Sequence, residues 1–281
     1  MRRRDFIATT LAATWLPAWK PPRARLRLGY AAISWNGNDR RAIDEIAALG
    51  YGGIQLRLSA VTTWGDRPAE LKALLAARKL TLVALSSGDV SLDPALEQQQ
   101  LAQHTRNAQF VRDVGGKYLQ VIDNRPKGRE PAPEDFSRMG KLLTEIGKRS
   151  ADLGVPLGYH NHMGALGQSP DEVTRVLEAA DPRYVHLELD TGHYRQAGGD
   201  PADAIRRHAA RLLFLHIKDL DASDHFIELG RGRVDFPAVF AALDAINFDG
   251  WGVVELDESR TPKESGAIAR RYLEAQGRWQ P

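Results

Sequence analysis

The stretch Val155-Pro156-Leu157-Gly158-Tyr159-His160-Asn161-His162-Met163-Gly164 lies near the middle of the chain and has the pattern of a buried strand followed by a glycine-containing loop. Side chains alternate between the two faces of a strand, so His160 and His162 are expected on the same side at its end. Two imidazoles on one face form one corner of a metal site. The fold depends on whether other strands bring metal-binding residues to the same level.

The pattern of a strand followed by a helix recurs along the whole chain. The predicted strands are Leu26–Ile33, Ile54–Leu56, Leu80–Leu85, Tyr118–Ile122, Pro156–Asn161, Tyr184–Asp190, Leu212–Ile217 and Gly252–Leu256. The predicted helices are Asp39–Leu49, Pro68–Arg78, Pro94–Val114, Pro133–Leu153, Asp171–Ala180, Pro201–Ala210, Phe236–Ile246 and Pro262–Ala275. Strict alternation indicates parallel strands, and this number of units predicts a (β/α)8 TIM barrel. An open doubly wound sheet is the alternative, but Ser34-Trp35-Asn36-Gly37 is not the glycine-rich turn that follows its first strand.

Metal-binding residues stand at the ends of four consecutive predicted strands. A barrel of this type has its active site at the carboxyl ends of its strands. Those ends carry His160 and His162, then Asp190, then His216, then Glu255. The chain has no cysteine, so imidazoles and carboxylates must supply the ligands. This donor set favours Mn²⁺ or Zn²⁺ over a Ca²⁺ cage.

Other polar residues are harder to place. His104 and His208 fall in helical patterns and are expected at the surface, whereas His186 is expected in the core. His186 and Glu188 share the parity of Asp190, so the sixth strand aims three polar groups inward unless a bulge intervenes. Asp219 follows His216 closely and either orients it or caps a turn.

The first 25 residues are expected to be an export signal and a connector, and residues 26–281 a single barrel domain. Arg2-Arg3-Arg4-Asp5-Phe6-Ile7 precedes a short apolar run, a pattern typical of a twin-arginine signal for export to the periplasm. Residues 1–20 carry a net charge of +3, from Arg2, Arg3, Arg4 and Lys20 against Asp5, whereas the whole chain carries +2. The remaining domain is close to neutral, which argues against a nucleic-acid partner. No apolar run is long enough for a membrane span.

Five short motifs occur in the order found in one known family. They are Tyr-His-Asn-His from residue 159, Leu-Asp-Thr-Gly-His from 189, His-Ile-Lys-Asp from 216, Leu-Gly-Arg-Gly-x-Val-Asp-Phe from 229 and Gly-Trp-x-Val-Val-Glu-x-Asp from 250. Together they resemble the xylose-isomerase-like TIM-barrel superfamily of sugar phosphate isomerases and epimerases, over about residues 26–275. Ala32-Ile33-Ser34-Trp35 is similar to the inosose dehydratase branch.

The resemblance implies a divalent metal ion on His160, Asp190, His216 and Glu255. It also implies that His193 contacts the substrate or supports the ligands, that His162 lines the same pocket, and that Arg231 approaches the substrate. Many members have Glu where this chain has His160 and Gln55. Epimerases of the family use two carboxylates as acid and base, so the imidazole of His160 raises the expectation of a lyase.

The primary functional hypothesis is a metal-dependent isomerase or epimerase that removes a proton next to the carbonyl of a sugar or cyclitol. Glu255 is the predicted base, His162 or His193 the partner acid, and Lys218 stabilises the enediolate. Trp35 and Asp257 are predicted to contact the substrate, and a homodimer is expected by analogy. The alternative is a lyase of the same superfamily, which dehydrates an inosose or eliminates from a 3-keto-glycoside.

Two further classes of function remain open. One is phosphodiester cleavage, as in the AP endonucleases of the superfamily, although the chain lacks their additional ligands and a basic surface. The other is a non-catalytic, periplasmic sugar-binding barrel. Four metal-binding strand ends argue against the second possibility.

Overall fold

The computed structural model describes residues 23–279. The predicted export signal therefore lies outside the described residues, together with most of its connector. Strand β1 begins at Arg25. Among the described helices, none has both the length and the apolar character required to cross a bilayer.

Eight parallel strands close into a barrel, which confirms the predicted fold. They are β1 (Arg25–Ala31), β2 (Gly53–Leu56), β3 (Thr81–Val90), β4 (Tyr118–Asp123), β5 (Leu157–His160), β6 (Val185–Asp190), β7 (Leu212–Ile217) and β10 (Asp249–Val254). Their order around the barrel is β1-β10-β7-β6-β5-β4-β3-β2. Two short strands, β8 (Asp219–Leu220) and β9 (Phe226–Ile227), form an antiparallel pair outside it.

Helices surround the barrel. They are α1 (Asp39–Ala48), α2 (Leu58–Trp64), α3 (Pro68–Ala77), α4 (Glu97–Val114), α5 (Pro133–Asp152), α6 (Pro170–Ala179), α7 (Thr191–Gln196), α8 (Pro201–Arg207), α9 (Phe236–Ala245) and α10 (Pro262–Ala275). Short 3-10 turns span Ala32–Trp35 and Pro94–Leu96. Helices α2 and α7 were not among the eight predicted helices, so the described residues contain two more helices than the sequence predicted.

Two strand ends differ from the prediction in ways that affect the site. Strand β3 continues to Val90, so Ser86 lies within the strand instead of in its exit loop. Strand β10 ends at Val254, so Glu255 is the first residue of the following loop. The register between β6 and β7 shifts between Leu187 and Glu188. This shift places Asp190 beside His216.

The prediction that His104 and His208 are surface residues is wrong. Both are buried. His104 lies on the inner face of α4, where its Nδ1 is 2.7 Å from the Ser87 hydroxyl. Asn107 donates to the same hydroxyl at 2.8 Å. Polar residues on this helix therefore face the barrel, and a polar side chain in a helical pattern did not indicate exposure.

Candidate metal centre

Four strands bring their carboxyl ends to one buried cluster. His160 is the last residue of β5, Asp190 the last of β6, and His216 the penultimate residue of β7. Glu255 directly follows β10. None of the four is more than 7% exposed. The structure thus gathers the predicted ligands at one level of the barrel.

The spacing of these side chains suits a shared cation. Nε2 of His160 lies 3.5 Å from Oδ2 of Asp190, and that oxygen lies 3.4 Å from Nδ1 of His216. The same nitrogen lies 3.4 Å from Oε1 of Glu255. Neighbouring ligands of a tetrahedral ion with bonds of about 2.1 Å are also roughly 3.4 Å apart. Groups drawn from these residues are compact enough to hold a metal ion.

Unsatisfied atoms point to the same conclusion. Nε2 of His160, Oδ2 of Asp190 and Nδ1 of His216 are buried and have no hydrogen-bond partner among residues 23–279. Buried polar atoms are normally paired, because an unpaired one costs about 1–3 kcal/mol. All three face the same small volume, so a divalent ion fits the donors that this structure presents.

A second layer holds the two imidazoles in place. Oε1 of Glu188 lies 2.6 Å from Nε2 of His216, and Oε1 of Gln55 lies 3.0 Å from it. The amide of Gln120 lies 2.7 Å from Nδ1 of His160 and leaves its own oxygen unpaired. Half a turn of that amide would let its oxygen accept from Nδ1–H, leaving Nε2 of His160 as the free donor.

Glu188 is a residue of the candidate site that the sequence prediction did not assign. Its carboxylate is fully buried, one level below Asp190 on the inner face of β6. Burial lowers the pKa of His216, but Glu188 and Glu255 outweigh it and raise that pKa well above its usual value. The parity of β6 was the available signal. β6 pairs with β5 without a shift, and the irregularity against β7 skips Leu213 of β7, so the pattern of β6 reflects an inward polar layer and not a bulge in β6 itself.

Lys218 and His193 lie behind the cluster. Nζ of Lys218 is 3.1 Å from Glu255, 2.5 Å from Asp257 and 3.4 Å from Nε2 of His193. It also lies over the ring of Phe226. Burial disfavours the ammonium, but the carboxylates of Glu255, Asp190 and Asp257 outweigh burial and raise the pKa of Lys218. For Glu255, burial disfavours the carboxylate and raises its pKa. The positive charges of His216 and Lys218 outweigh burial and lower this pKa to about 2.

His162 reaches the site from the loop after β5. Its Nδ1 lies 2.6 Å from the Met163 carbonyl, so Nδ1–H donates to that oxygen and Nε2 is left as the basic nitrogen. Its ring lies 3.8 Å, centre to centre, from that of His193. The buried carboxylate of Asp123 holds the loop, because it accepts from the backbone N–H of Leu166 at 2.8 Å.

The cluster opens into a cavity of about 130 Å³, here called the inner cavity. Its wall includes His160, His162, His216, Glu255 and Asp257, together with Gln55, Gln120, Arg57 and Ser86. His193 and Lys218 are buried behind this wall. The structure therefore brings the predicted metal and acid–base residues together, but His193 and Lys218 reach the cavity only through their neighbours.

Two predicted substrate contacts do not reach the inner cavity. The indole of Trp35 is buried against Tyr30 and donates to Glu45 at 2.7 Å, because the 3-10 turn after β1 directs it into the core. Arg231 is exposed and pairs with Glu228 at 3.3 Å. The structure thus corrects the placement of both residues.

Asp219 proves to be an anchor for a loop. Its carboxylate accepts from the backbone N–H groups of Leu220, Gly230, Gly232 and Val234 at 2.9–3.1 Å. This supports the turn-capping alternative for Asp219. The carboxylate fixes the loop that carries Arg231.

Residues 43–276 match the model of the xylose isomerase-like TIM barrel family. The chain belongs to this family. The predicted resemblance is therefore confirmed, with a match that covers most of the barrel.

Several curated relatives of this xylose isomerase-like protein are inosose dehydratases. That of Lacticaseibacillus casei strain BL23 is 26% identical over 300 aligned residues, which cover 90% of this chain and 97% of the relative. That of Geobacillus kaustophilus is 27% identical and covers 88% and 94%. The rhizopine catabolism protein MocC of Rhizobium meliloti is 28% identical and covers 86% of each chain.

Solved structures share the fold of this family member. An IolI protein with a bound zinc atom superposes with a TM-score of 0.78 at 16% identity and covers 91% of this chain and 99% of its own. The 3-keto-D-glucoside 4-epimerase of E. coli gives a TM-score of 0.75 at 18% identity and covers 89% and 100%. At these identities the likeness shows the barrel alone.

Proposed function

We propose that this protein is a metal-dependent lyase acting on a keto-sugar or keto-cyclitol. In the reaction, a proton leaves the carbon next to the carbonyl and a hydroxyl or alkoxyl group leaves the carbon beyond it. The similarity to inosose dehydratases along nearly their whole length supports this choice. It supports the lyase, which the sequence suggested as the alternative, over the isomerase or epimerase.

His160, Asp190, His216 and Glu255 would hold the divalent ion. When bound there, the ion supplies Lewis-acid polarisation of the carbonyl. Two imidazoles and two carboxylates suit Zn²⁺ and Mn²⁺. The IolI protein, which shares the fold, contains zinc.

We assign the base to His162 in place of Glu255. Glu255 lies 3.1 Å from the Lys218 ammonium, and its lowered pKa makes it a weak base. His162 lines the inner cavity, and the Met163 carbonyl fixes its Nδ1–H. Its Nε2 is therefore available to take a proton from the substrate.

One observation carries the proposal for a lyase: the acid–base groups on the cavity wall differ from each other. His162 follows β5, whereas Asp257, ion-paired with Lys218, follows β10, three strands away around the barrel. An epimerase returns a proton to the same carbon from the opposite face, which suits two matched groups. A lyase needs a base for carbon and a proton donor for the departing oxygen, and an imidazole opposite a carboxylate–ammonium pair meets that need.

The test is to incubate the protein with Mn²⁺ or Zn²⁺ and a single-ring ketone in D₂O. An inosose and methyl 3-keto-glucosides are suitable probes. We expect an enone, detected by its ultraviolet absorption and by the lost mass of water or methanol. His162→Asn should lower the rate by about 10²–10⁴-fold, because the general base is lost. His225→Asn, in an exposed loop, is the matched control.

Solvent deuterium retained in an otherwise unchanged sugar skeleton would show an epimerase or isomerase. Full activity of His162→Asn would show that the base is another residue. No reaction of any probe with either metal would remove the support for the proposed chemistry.

A further inference from the structure

A second chamber adjoins the inner cavity. This outer chamber has a volume of about 260 Å³ and is lined by Asn36, Gly37, Arg57, Leu58, Ser59 and Ser86, with Gly88 at its edge. Arg57 and Ser86 belong to the walls of both spaces. The two chambers therefore meet at these side chains.

The outer chamber lies away from the candidate metal ligands. Its walls come from the segments around the carboxyl ends of β1, β2 and β3, whereas the ligands come from β5, β6, β7 and β10. Asp257 follows β10, which is next to β1 in the barrel. The proton-donating pair is thus on the side of the inner cavity that leads toward the outer chamber.

Two glycines keep the chamber free of side chains. Gly37 and Gly88 have φ angles of +82° and +89°, which residues with a Cβ rarely adopt. A Cβ at Gly37 would lie 3.7 Å from the Cβ of Ser59, and one at Gly88 would lie 3.6 Å from Cδ1 of Leu58. Larger residues here would extend into this space.

The chamber wall has the mixed character of a carbohydrate site. Among residues 23–279, Leu58 is one of two large apolar residues that are at least 36% exposed, and it offers an apolar contact. Ser59, Ser86 and Asn36 offer polar groups. Arg57, on the wall that the two spaces share, offers guanidinium N–H donors, which suit the hydroxyl oxygens of a polyol.

The volumes of the two spaces also favour a ligand that occupies both of them. The inner cavity alone is smaller than the roughly 300–1,000 Å³ typical of a small-molecule site. With the outer chamber included, the space reaches the lower part of that range. We propose that the outer chamber binds the second ring of a keto-glycoside, so that a two-ring substrate spans both spaces. This inference rests on the proposed lyase function and names its substrate class.

The step is balanced without any oxidant. The keto ring sits in the inner cavity with its carbonyl at C3. His162 removes the proton from C2, the C1–O bond breaks, and a C1–C2 double bond forms. The electron pair of the broken bond leaves with the glycosidic oxygen, which takes a proton from the Asp257–Lys218 pair. The products are an enone and a free sugar, which occupies the outer chamber before release.

The test compares two-ring with one-ring probes. The 3-keto derivatives of cellobiose and maltose, oxidised on the non-reducing ring, are measured against the methyl 3-keto-glucoside of the same anomer. The readout is the ratio of kcat/KM values, two-ring over one-ring. Leu58→Ala removes the apolar contact, and Ser59→Trp fills the chamber with an indole. We expect each change to lower the ratio about tenfold.

Leu96→Ala is the matched control, because Leu96 is 41% exposed and lines neither chamber. It should keep the wild-type ratio. An equal ratio in the wild type, Leu58→Ala and Ser59→Trp would overturn the second-ring site even though the lyase reaction remains.

Binding is measured separately from turnover, by saturation-transfer NMR with unoxidised cellobiose and maltose. We expect saturation of both rings in the wild type and of one ring in Ser59→Trp. Saturation of a single ring in the wild type would overturn the inference, whatever the turnover. Binding of both rings without turnover of any keto probe would keep the site and count against the proposed chemistry.

Discussion

At the scale of single residues, Glu188 shows how a buried carboxylate prepares a ligand. It has no solvent exposure, and its oxygen lies 2.6 Å from the nitrogen of His216 that faces away from Asp190. Such a partner fixes the orientation and tautomer of an imidazole ligand. Glu188 therefore belongs to the candidate metal centre although it does not line the inner cavity.

We expect Glu188→Gln to weaken the affinity for Zn²⁺ or Mn²⁺ by about 10–100-fold, because the amide keeps the shape but loses the charge behind His216. Competition with a chromogenic chelator measures this affinity. Glu178→Gln, on the exposed face of α6, should not change it. Unchanged affinity in Glu188→Gln would rule out the orienting role, and a far larger loss would make Glu188 a ligand itself.

Single residues also show where sequence reasoning worked. Alternation along a strand placed His160 correctly, and the polar parity of β6 pointed toward Glu188. Sequence reasoning failed for Trp35, which was expected to contact the substrate, because the segment after β1 forms a 3-10 turn and Glu45 accepts from the indole. The local sequence around Trp35 does not indicate that Glu45, on helix α1, is the partner of the indole.

At the scale of elements, the loop after β9 depends on one carboxylate. Asp219 is 1% exposed and accepts from four backbone N–H groups. A Cβ at Gly232 would clash with this carboxylate, so the loop approaches it closely. The loop conformation is thus specified by Asp219 and the adjacent glycines.

We expect Asp219→Ala to lower the free energy of unfolding by about 3–5 kcal/mol, since several buried N–H groups lose their acceptor. Urea denaturation measures this change. Asp221→Ala is the control: Asp221 also accepts from two backbone N–H groups but lies nearer solvent, so its loss should lower the free energy of unfolding much less than the loss of Asp219. Equal effects of the two substitutions would contradict the anchoring role.

The elements themselves were largely predictable, because each strand is a short apolar run and each helix has a periodic pattern. Helix α7 could not be predicted in this way. Its six residues directly follow Asp190, which caps the helix because its side chain accepts from the backbone N–H of His193 at 2.7 Å. That cap exists only because β6 ends there. The helix depends on tertiary structure, which local patterns do not contain.

At the scale of the whole molecule, stability should depend on a carboxyl group that is not a metal ligand. Asp123 is fully buried, and burial raises its pKa to about 6 against the hydrogen bonds from Tyr159 and two backbone N–H groups. The native state therefore binds a proton between about pH 4 and 6 that the unfolded state releases. The stability from this group is complete below pH 4 and is lost as the pH rises through 6.

We expect Asp123→Asn to remove this contribution. Relative to the wild type, the variant should gain about 3 kcal/mol in free energy of unfolding between pH 4 and pH 7, since one pKa unit corresponds to about 1.4 kcal/mol. Urea titrations at half-unit pH intervals measure the difference. Asp113→Asn, on the exposed surface of α4, should show no such trend. Parallel profiles for the wild type and Asp123→Asn would refute the assignment.

The barrel as a whole divides its tasks by position. The candidate ligands stand at the carboxyl ends of β5, β6, β7 and β10, whereas the outer chamber is built from residues that follow β1 and β2 and from the last part of β3. Evolution can therefore remodel one arc of loops without disturbing the other. Insertions beside Asn36 or Leu58 would change the shape of the outer chamber while leaving the candidate metal ligands in place. A barrel divided in this way can change the ligands that its loops accept while it keeps the same candidate metal centre.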